Sequence, residues 1–167
     1  MKKFTSIFWK VIGGVTILLC GYVTQTLACS CVAEPLSRAV SSADYIFLGT
    51  VLLRQDPPPD PSGVMSSMDP VYFHATVERT LKGELLSPAV VVTARESASC
   101  GYPFQRGTRY LIFGYRATGT AGGPSQAEST LSTTLCSQTT DKEVDRVAAQ
   151  VETLLRGAPP MQDAIPD

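Results

Sequence analysis

Short apolar runs, separated by polar stretches that contain glycine and proline, recur through most of the chain. In the clearest run, 71–81, every second residue is apolar from Val71 to Val77, the period that is typical of a half-buried strand. We predict four further strands, over 44–54, 89–95, 108–116 and 130–136.

The period changes near the end of the chain. Between 141 and 156 the apolar residues fall at helical spacing, with Asp141 as the predicted N-cap. Gly157 and the prolines beyond it end this helix. A short helix is predicted over 36–43, and a disordered tail over 158–167.

Five short strands and a terminal helix, without βαβ alternation, define the expected fold. They predict a mainly β domain over 29–157, a five-stranded Greek-key barrel of the OB type with the C-terminal helix packed on it. A β-sandwich is the alternative, although it usually needs about seven strands. The stretch 55–70 holds five prolines and is predicted to be a long exposed loop, of a kind that is often functional.

The first 28 residues have the pattern of an export signal. Lys2, Lys3 and Lys10 flank an apolar run, and small residues precede Cys29. We predict that 1–28 is a signal peptide, cleaved after Ala28, and that the protein is secreted or periplasmic with no stable membrane insertion. The alternatives are an uncleaved anchor, for which the run is short, and a lipoprotein signal that would place lipid on the amine of Cys29.

Charge and motifs exclude several functions. The formal net charge is −1, which implies no broad basic face for nucleic acid. His74 is the only histidine, and phosphate-loop, zinc-protease and serine-hydrolase motifs are missing. The expectation is therefore a protein that is not an enzyme and needs no cofactor.

Four cysteines remain after signal cleavage, and an exported chain is expected to oxidise them to two disulfides. Cys29 and Cys31 are poorly placed to pair with each other, so each is expected to pair with Cys100 or Cys136, in either combination. A cysteine metal site is the competing interpretation, but zinc sites usually have close cysteine pairs at both ends. Cleavage after Ala28 would also leave Cys29 with a free amine, and an amine and the adjacent carbonyl can bind one metal ion together.

The order of these features resembles that of a known family. Cys29-Ser30-Cys31 resembles the mature start of the tissue inhibitors of metalloproteinases, whose N-terminal module is an OB-fold also called the netrin-like domain. The other matching positions are Ala39, Ala43-Asp44, Lys82-Gly83, Ser99-Cys100-Gly101, Gly107, Tyr110-Leu111-Ile112 and Cys136.

The resemblance implies the pairs Cys29–Cys100 and Cys31–Cys136. The chain departs from the family in two respects: Ser41 stands where the family has a cysteine of a third disulfide, and the family's C-terminal domain is replaced by the helix 141–156. The chain thus looks like a short, bacterial type of the module.

The resemblance also implies a mode of action. The amine and carbonyl of Cys29 would bind the catalytic zinc of a metalloproteinase, while the free inhibitor would hold no metal. Ser30 would enter the adjacent pocket, and Cys31, Val32, Ala33 and Glu34 would complete the inhibitory edge along the cleft, with loop 55–70 as a second contact. The alternative is a netrin-like module that inhibits nothing and binds another exported or envelope protein.

Overall fold

The computed structural model describes residues 29–32, 34–58, 62–116 and 130–157. The predicted signal peptide over 1–28 and the predicted tail over 158–167 lie outside these residues. In the described part no helix has the length and apolar character that crossing a membrane requires. The elements in chain order are α1 (Leu36–Ser42), β1 (Tyr45–Gln55), β2 (Pro70–Ala75), β3 (Arg79–Lys82), β4 (Ala89–Ala94), a 3₁₀ turn (Ser97–Ser99), β5 (Arg109–Arg116), β6 (Thr130–Ser132) and α2 (Val144–Gly157).

The strands pair in a closed circuit. β1 pairs antiparallel with β5 through residues 45–50, and its second half pairs with β2 through residues 51–55. β2 pairs antiparallel with β4, β4 pairs parallel with β6, and β6 pairs antiparallel with β5. The chain is therefore mainly β and barrel-like, as expected, with a helix at its C-terminal side.

Within the described residues the sheet has six strands, and the prediction of five was wrong because the run 71–81 is broken. The main chain leaves the β2 register after Ala75, where Thr76 N donates to Thr50 O (2.9 Å), and rejoins β1 where Glu78 N donates to Leu48 O (2.8 Å). β3 then pairs with the first half of β1. The break is caused by hydrogen bonds to β1, and the alternating pattern within 71–81 carries no information about β1.

Two predicted boundaries also move. β6 ends at Ser132 instead of 136, because the following residues turn away from the sheet. Helix α2 begins at Val144, so Asp141 is not its N-cap. The first helical hydrogen bond instead runs from Val147 N to the carbonyl of Glu143 (3.0 Å), a residue with φ of 45°.

Alternation along the strands supplies the two largest of three apolar clusters among the described residues. On β1, Phe47 points into the circuit, where it packs with residues such as Phe73 and Ile112. Its neighbours Ile46 and Leu48 point outward and pack beneath both helices. The first half of β1 and most of β5 are thus buried on both faces, and they form the base for the segments described next.

Candidate functional site

The residues 29–34, which we call the N-terminal edge, are attached by two disulfides. Cys29 is bonded to Cys100 and Cys31 to Cys136, with Cα–Cα distances of 5.3 and 5.2 Å. This is the pairing that the family resemblance implies. Between and beyond the cysteines, Ser30 is exposed and Val32 is 90% exposed, whereas Ala33 lies outside the described residues. The edge is therefore fixed at two points while its intervening side chains face solvent.

The first attachment point is a tight turn after β4. Cys100 has a left-handed backbone (φ 62°), and its N–H donates to Ser97 O at 3.0 Å. Gly101 N donates to Glu96 O at 3.0 Å. A Cβ on Gly101 would lie 2.1 Å from Ala94 O, so only glycine permits this close approach. The side chain of Glu96 is exposed, and its backbone, which also accepts from Ser99 N, organises the turn.

The second attachment point is the segment 133–139 after β6. Leu135 N donates to Cys100 O at 2.8 Å, which joins the two attachment points directly. Gln138, with φ of 63°, donates from Nε2 to Glu34 O at 3.0 Å and so holds the far end of the N-terminal edge. The two disulfides are consequently neighbours: the sulfur atoms of Cys29, Cys31 and Cys136 all lie within 4.8 Å of one another.

A buried hydroxyl cluster supports this second segment from below. Thr133 Oγ1 donates to Phe113 O (2.9 Å) and lies 2.6 Å from Ser137 Oγ and 3.0 Å from Thr139 Oγ1. All three hydroxyl residues are buried. Because each has partners, the cluster fixes the loop that carries Cys136.

The proline-rich loop approaches the same region. Its residues 62–69 contact the turn after β4, through Ser67 O with Glu96 N (3.2 Å) and Ser67 Oγ with Ser99 Oγ (2.7 Å). Val64, Met65 and Met68 on this loop are 67%, 64% and 75% exposed. Apolar side chains therefore stand exposed on a loop that contacts the segment bonded to Cys29.

Ion pairs fix the start of that loop. Asp56 accepts from Arg54 Nε at 2.9 Å and from Arg95 Nη1 at 2.6 Å. The hydrogen bond from Arg54, together with that from Arg95, holds the pKa of the Asp56 carboxyl below its ordinary value. The loop thus leaves β1 in a direction set by two guanidinium groups.

An open groove of about 420 Å³ borders the Cys31–Cys136 bond. Val32, Leu135 and Val147 supply its apolar lining, and Lys142 and Arg146 contribute charge. Both cations are paired, with Asp141 and Glu143 respectively. No local pattern in the sequence indicates this groove, because it forms only where α2 begins beside the disulfide.

The histidine and the cysteines of the described residues are engaged in contacts within the fold. His74 lies on β2, where Nε2 contacts Gln55 Oε1 at 3.1 Å. All four described cysteines are in disulfides. The arrangement offers instead an exposed chain segment, fixed in place and flanked by apolar side chains, which suits binding to another protein.

The chain matches no protein-family model, and no curated protein shows significant sequence similarity to it.

Proposed function

We propose that this protein is an exported inhibitor of zinc metalloproteinases, similar in mode of action to the tissue inhibitors of metalloproteinases. The observation that carries the proposal is the double disulfide attachment of Cys29 and Cys31 beneath an exposed edge. The closed strand circuit and the parallel β4–β6 pair support assignment of the barrel to the OB type.

Chelation through Cys29 is the proposed mechanism. After removal of 1–28, the terminal amine loses its proton, whose pKa is about 8 in a free chain, and binds zinc together with the Cys29 carbonyl. A catalytic zinc ion keeps one open position for water, and the chelate displaces that water. Ser30 then enters the pocket beside the zinc.

Rigidity of the edge contributes to affinity. The bonds of Cys29 and Cys31, and the hydrogen bond from Gln138 to Glu34, fix the backbone before the target arrives. Binding then loses little conformational entropy, which is the usual advantage of a preorganised inhibitor. Val32, Ala33 and Glu34 extend along the cleft as a substrate would.

The exposed side chains of Val64, Met65 and Met68 form the proposed second contact. They belong to the loop that hydrogen-bonds to the turn carrying Cys100, so they flank the N-terminal edge. Exposed methionines adapt to irregular apolar surfaces, which suits the rim of a protease cleft.

A second candidate function is a non-inhibitory module that binds an exported or envelope protein. The specific observation in its favour is the exposed apolar surface of this loop, together with the groove beside Cys31. Binding of a partner at either surface does not require a free amine at Cys29. This candidate predicts that binding survives modification of the N-terminus and fails when 55–70 is deleted.

The deciding experiment compares two processed proteins. One begins at Cys29 and the other carries one extra alanine before it, which moves the amine away from the zinc but leaves every disulfide and contact intact. A panel of zinc metalloproteinases should be inhibited at least about 100-fold less well by the extended protein, a difference of roughly 3 kcal/mol in binding.

Equal inhibition by both proteins would contradict amine chelation. Mass spectrometry of exported material supplies the control, because the first residue must be an unmodified Cys29. An attached lipid or residual upstream residues would contradict the mechanism directly.

A further inference from the structure

The disulfide-bonded cysteines bring several sulfur atoms into one small region of the fold. The Sγ atoms of Cys29, Cys31 and Cys136 lie within 4.8 Å of one another, and Cys100 adds a fourth sulfur bonded to that of Cys29. In sequence the bonded partners are 71 and 105 residues apart, whereas zinc ligands usually come in closely spaced pairs. Folding nevertheless brings these distant cysteines close together in space.

We propose that the four cysteines form a zinc site when both disulfides are reduced. Tetrahedral zinc binds thiolate sulfur at about 2.3 Å, which places the sulfur atoms about 3.8 Å apart. The Sγ atoms of Cys29, Cys31 and Cys136 lie no more than about 1 Å beyond that spacing, whereas each bonded pair must move apart once its disulfide is reduced. Side-chain rotation alone supplies a shift of that size.

Two hydrogen bonds, besides the sulfur bonds, join the segments that carry the four cysteines. Leu135 N to Cys100 O holds the segments of Cys100 and Cys136 side by side. The bond from Gln138 to Glu34 O holds the N-terminal edge against the same loop. Where the fold survives reduction, these two contacts hold the thiols near one another, which favours affinity in a site made of distant chain segments.

The chemistry favours a thiophilic ion. The only histidine lies on β2, in contact with Gln55, so the ligand set is sulfur alone. Thiolate ligands favour zinc over harder cations that prefer oxygen ligands. Cys31 is exposed and Cys29 and Cys136 are partly exposed, so both reductant and ion reach the site.

The reaction is balanced with an external dithiol as reductant. Each protein disulfide takes two electrons and two protons from one dithiol, which is oxidised to its own disulfide. Zinc then displaces the protons of the four thiols and forms four zinc–sulfur bonds. The ion replaces both disulfides as the link between the N-terminal edge and the barrel.

The test uses the exported, processed protein, reduced and freed of dithiol under anaerobic conditions. Cobalt(II) serves as the spectroscopic probe, and zinc is then used to displace it. We expect one ion per chain, with sulfur-to-cobalt charge-transfer absorption that Cys100→Ser and Cys136→Ser each weaken at least tenfold in affinity, a loss of about 1.4 kcal/mol or more. The oxidised protein must give no such band, and His74→Ala must bind like the wild type.

A second readout separates a folded site from loose binding by thiols of an unfolded chain. Zinc should raise the melting temperature of the reduced protein, because only an ion that prefers the folded state stabilises it. If reduction alone unfolds the protein, zinc should restore its circular dichroism. Absent charge-transfer absorption, an unchanged melting temperature, or failure to restore the fold would each overturn the proposal.

Discussion

Leu135 donates its backbone N–H to the carbonyl oxygen of Cys100 across 2.8 Å. This one bond joins the turn after β4 to the loop after β6, the two segments to which the N-terminal edge is bonded. The hydrogen bond lies beside both disulfides, since Leu135 directly precedes Cys136 and the acceptor oxygen belongs to Cys100. The N-terminal edge, the turn after β4 and the loop after β6 are therefore all linked to one another. A disturbance in the loop after β6 is therefore expected to reach Cys29.

The Cys31–Cys136 bond should contribute strongly to stability. It closes a loop of 105 residues, for which restriction of the unfolded chain contributes up to about 4.7 kcal/mol. We expect the double variant Cys31→Ser/Cys136→Ser to lose about 2–5 kcal/mol in urea unfolding. The matched variant Cys29→Ser/Cys100→Ser, which opens a loop of 71 residues, should lose a similar amount. A loss below about 1 kcal/mol in both would contradict this assignment.

The buried hydroxyl of Thr133 should be essential for the loop that carries Cys136. Thr133→Val keeps the shape but removes the donor to Phe113 O and the contacts with Ser137 and Thr139. Leaving these buried groups short of partners costs about 1–3 kcal/mol, measurable by urea unfolding. Thr153→Val, an exposed hydroxyl on α2, is the control and should change stability by less than about 0.5 kcal/mol.

Methionines on the loop 62–69 provide a test of the second contact. Met65→Ser/Met68→Ser removes exposed apolar surface without touching the core. We expect inhibition to weaken about 10-fold while urea unfolding is unchanged, since peripheral apolar contacts contribute on the order of 1 kcal/mol each. Leu86→Ser, which alters a comparably exposed residue before β4, should leave inhibition unaltered. Equal losses in both variants would argue against a specific contact.

Local sequence pattern was sufficient to predict the elements that are specified by their own residues. The strand predicted over 44–54 is observed over 45–55, and α1 differs from its prediction by one residue, because dense β-branched residues and a short amphipathic segment specify them. The break within 71–81 had no local cause. It arises where β1 and the residues after β2 approach, at Thr50 and Thr76, so no pattern within the run encodes it.

The residues of the candidate site likewise fall into two groups, those that the sequence indicates and those that only the folded structure reveals. Cys29-Ser30-Cys31 could be singled out because the predicted export signal ends beside it. Leu135 and Gln138 could not, since their roles rest on backbone contacts to Cys100 and Glu34 that exist only after folding. Contacts between segments 71 and 105 residues apart become visible only in three dimensions.

Acid should weaken the fold through Glu78. Its carboxylate accepts from Arg109 Nε (2.7 Å) and from Thr50 Oγ1 (2.7 Å), and the Arg109 hydrogen bond in particular lowers the pKa of Glu78 from its ordinary 4.5. A group whose pKa is lower in the folded state binds fewer protons there than in the unfolded state. Its stabilisation is therefore present above about pH 4.5 and is lost as the pH falls through the folded-state pKa.

We expect Glu78→Gln to flatten the decline in stability below that pH, as followed by urea unfolding at a series of pH values. Glu84→Gln, in the exposed turn after β3, controls for the loss of one negative charge and should leave the slope as in the wild type. An identical slope in all three proteins would show that the Arg109 bond contributes nothing in solution, as happens for many exposed ion pairs.

Gly49 should tolerate no side chain, because the strand break described above passes directly over it. A Cβ at this position would lie 2.0 Å from Thr76 O, a backbone atom that cannot rotate away. Gly49→Ala must therefore displace the crossing between β1 and the residues after β2, and we expect a loss of about 2–4 kcal/mol in urea unfolding. Gly157→Ala is the matched control. Among the described residues, no atom beyond the chain neighbours and the helix's own backbone lies within 4 Å of its added methyl, and alanine favours the helix end, so stability should hold or rise by up to about 1 kcal/mol. If both variants unfold alike, the close approach of Thr76 to β1 does not exist in solution, and the six-strand arrangement built on it would have to be redrawn.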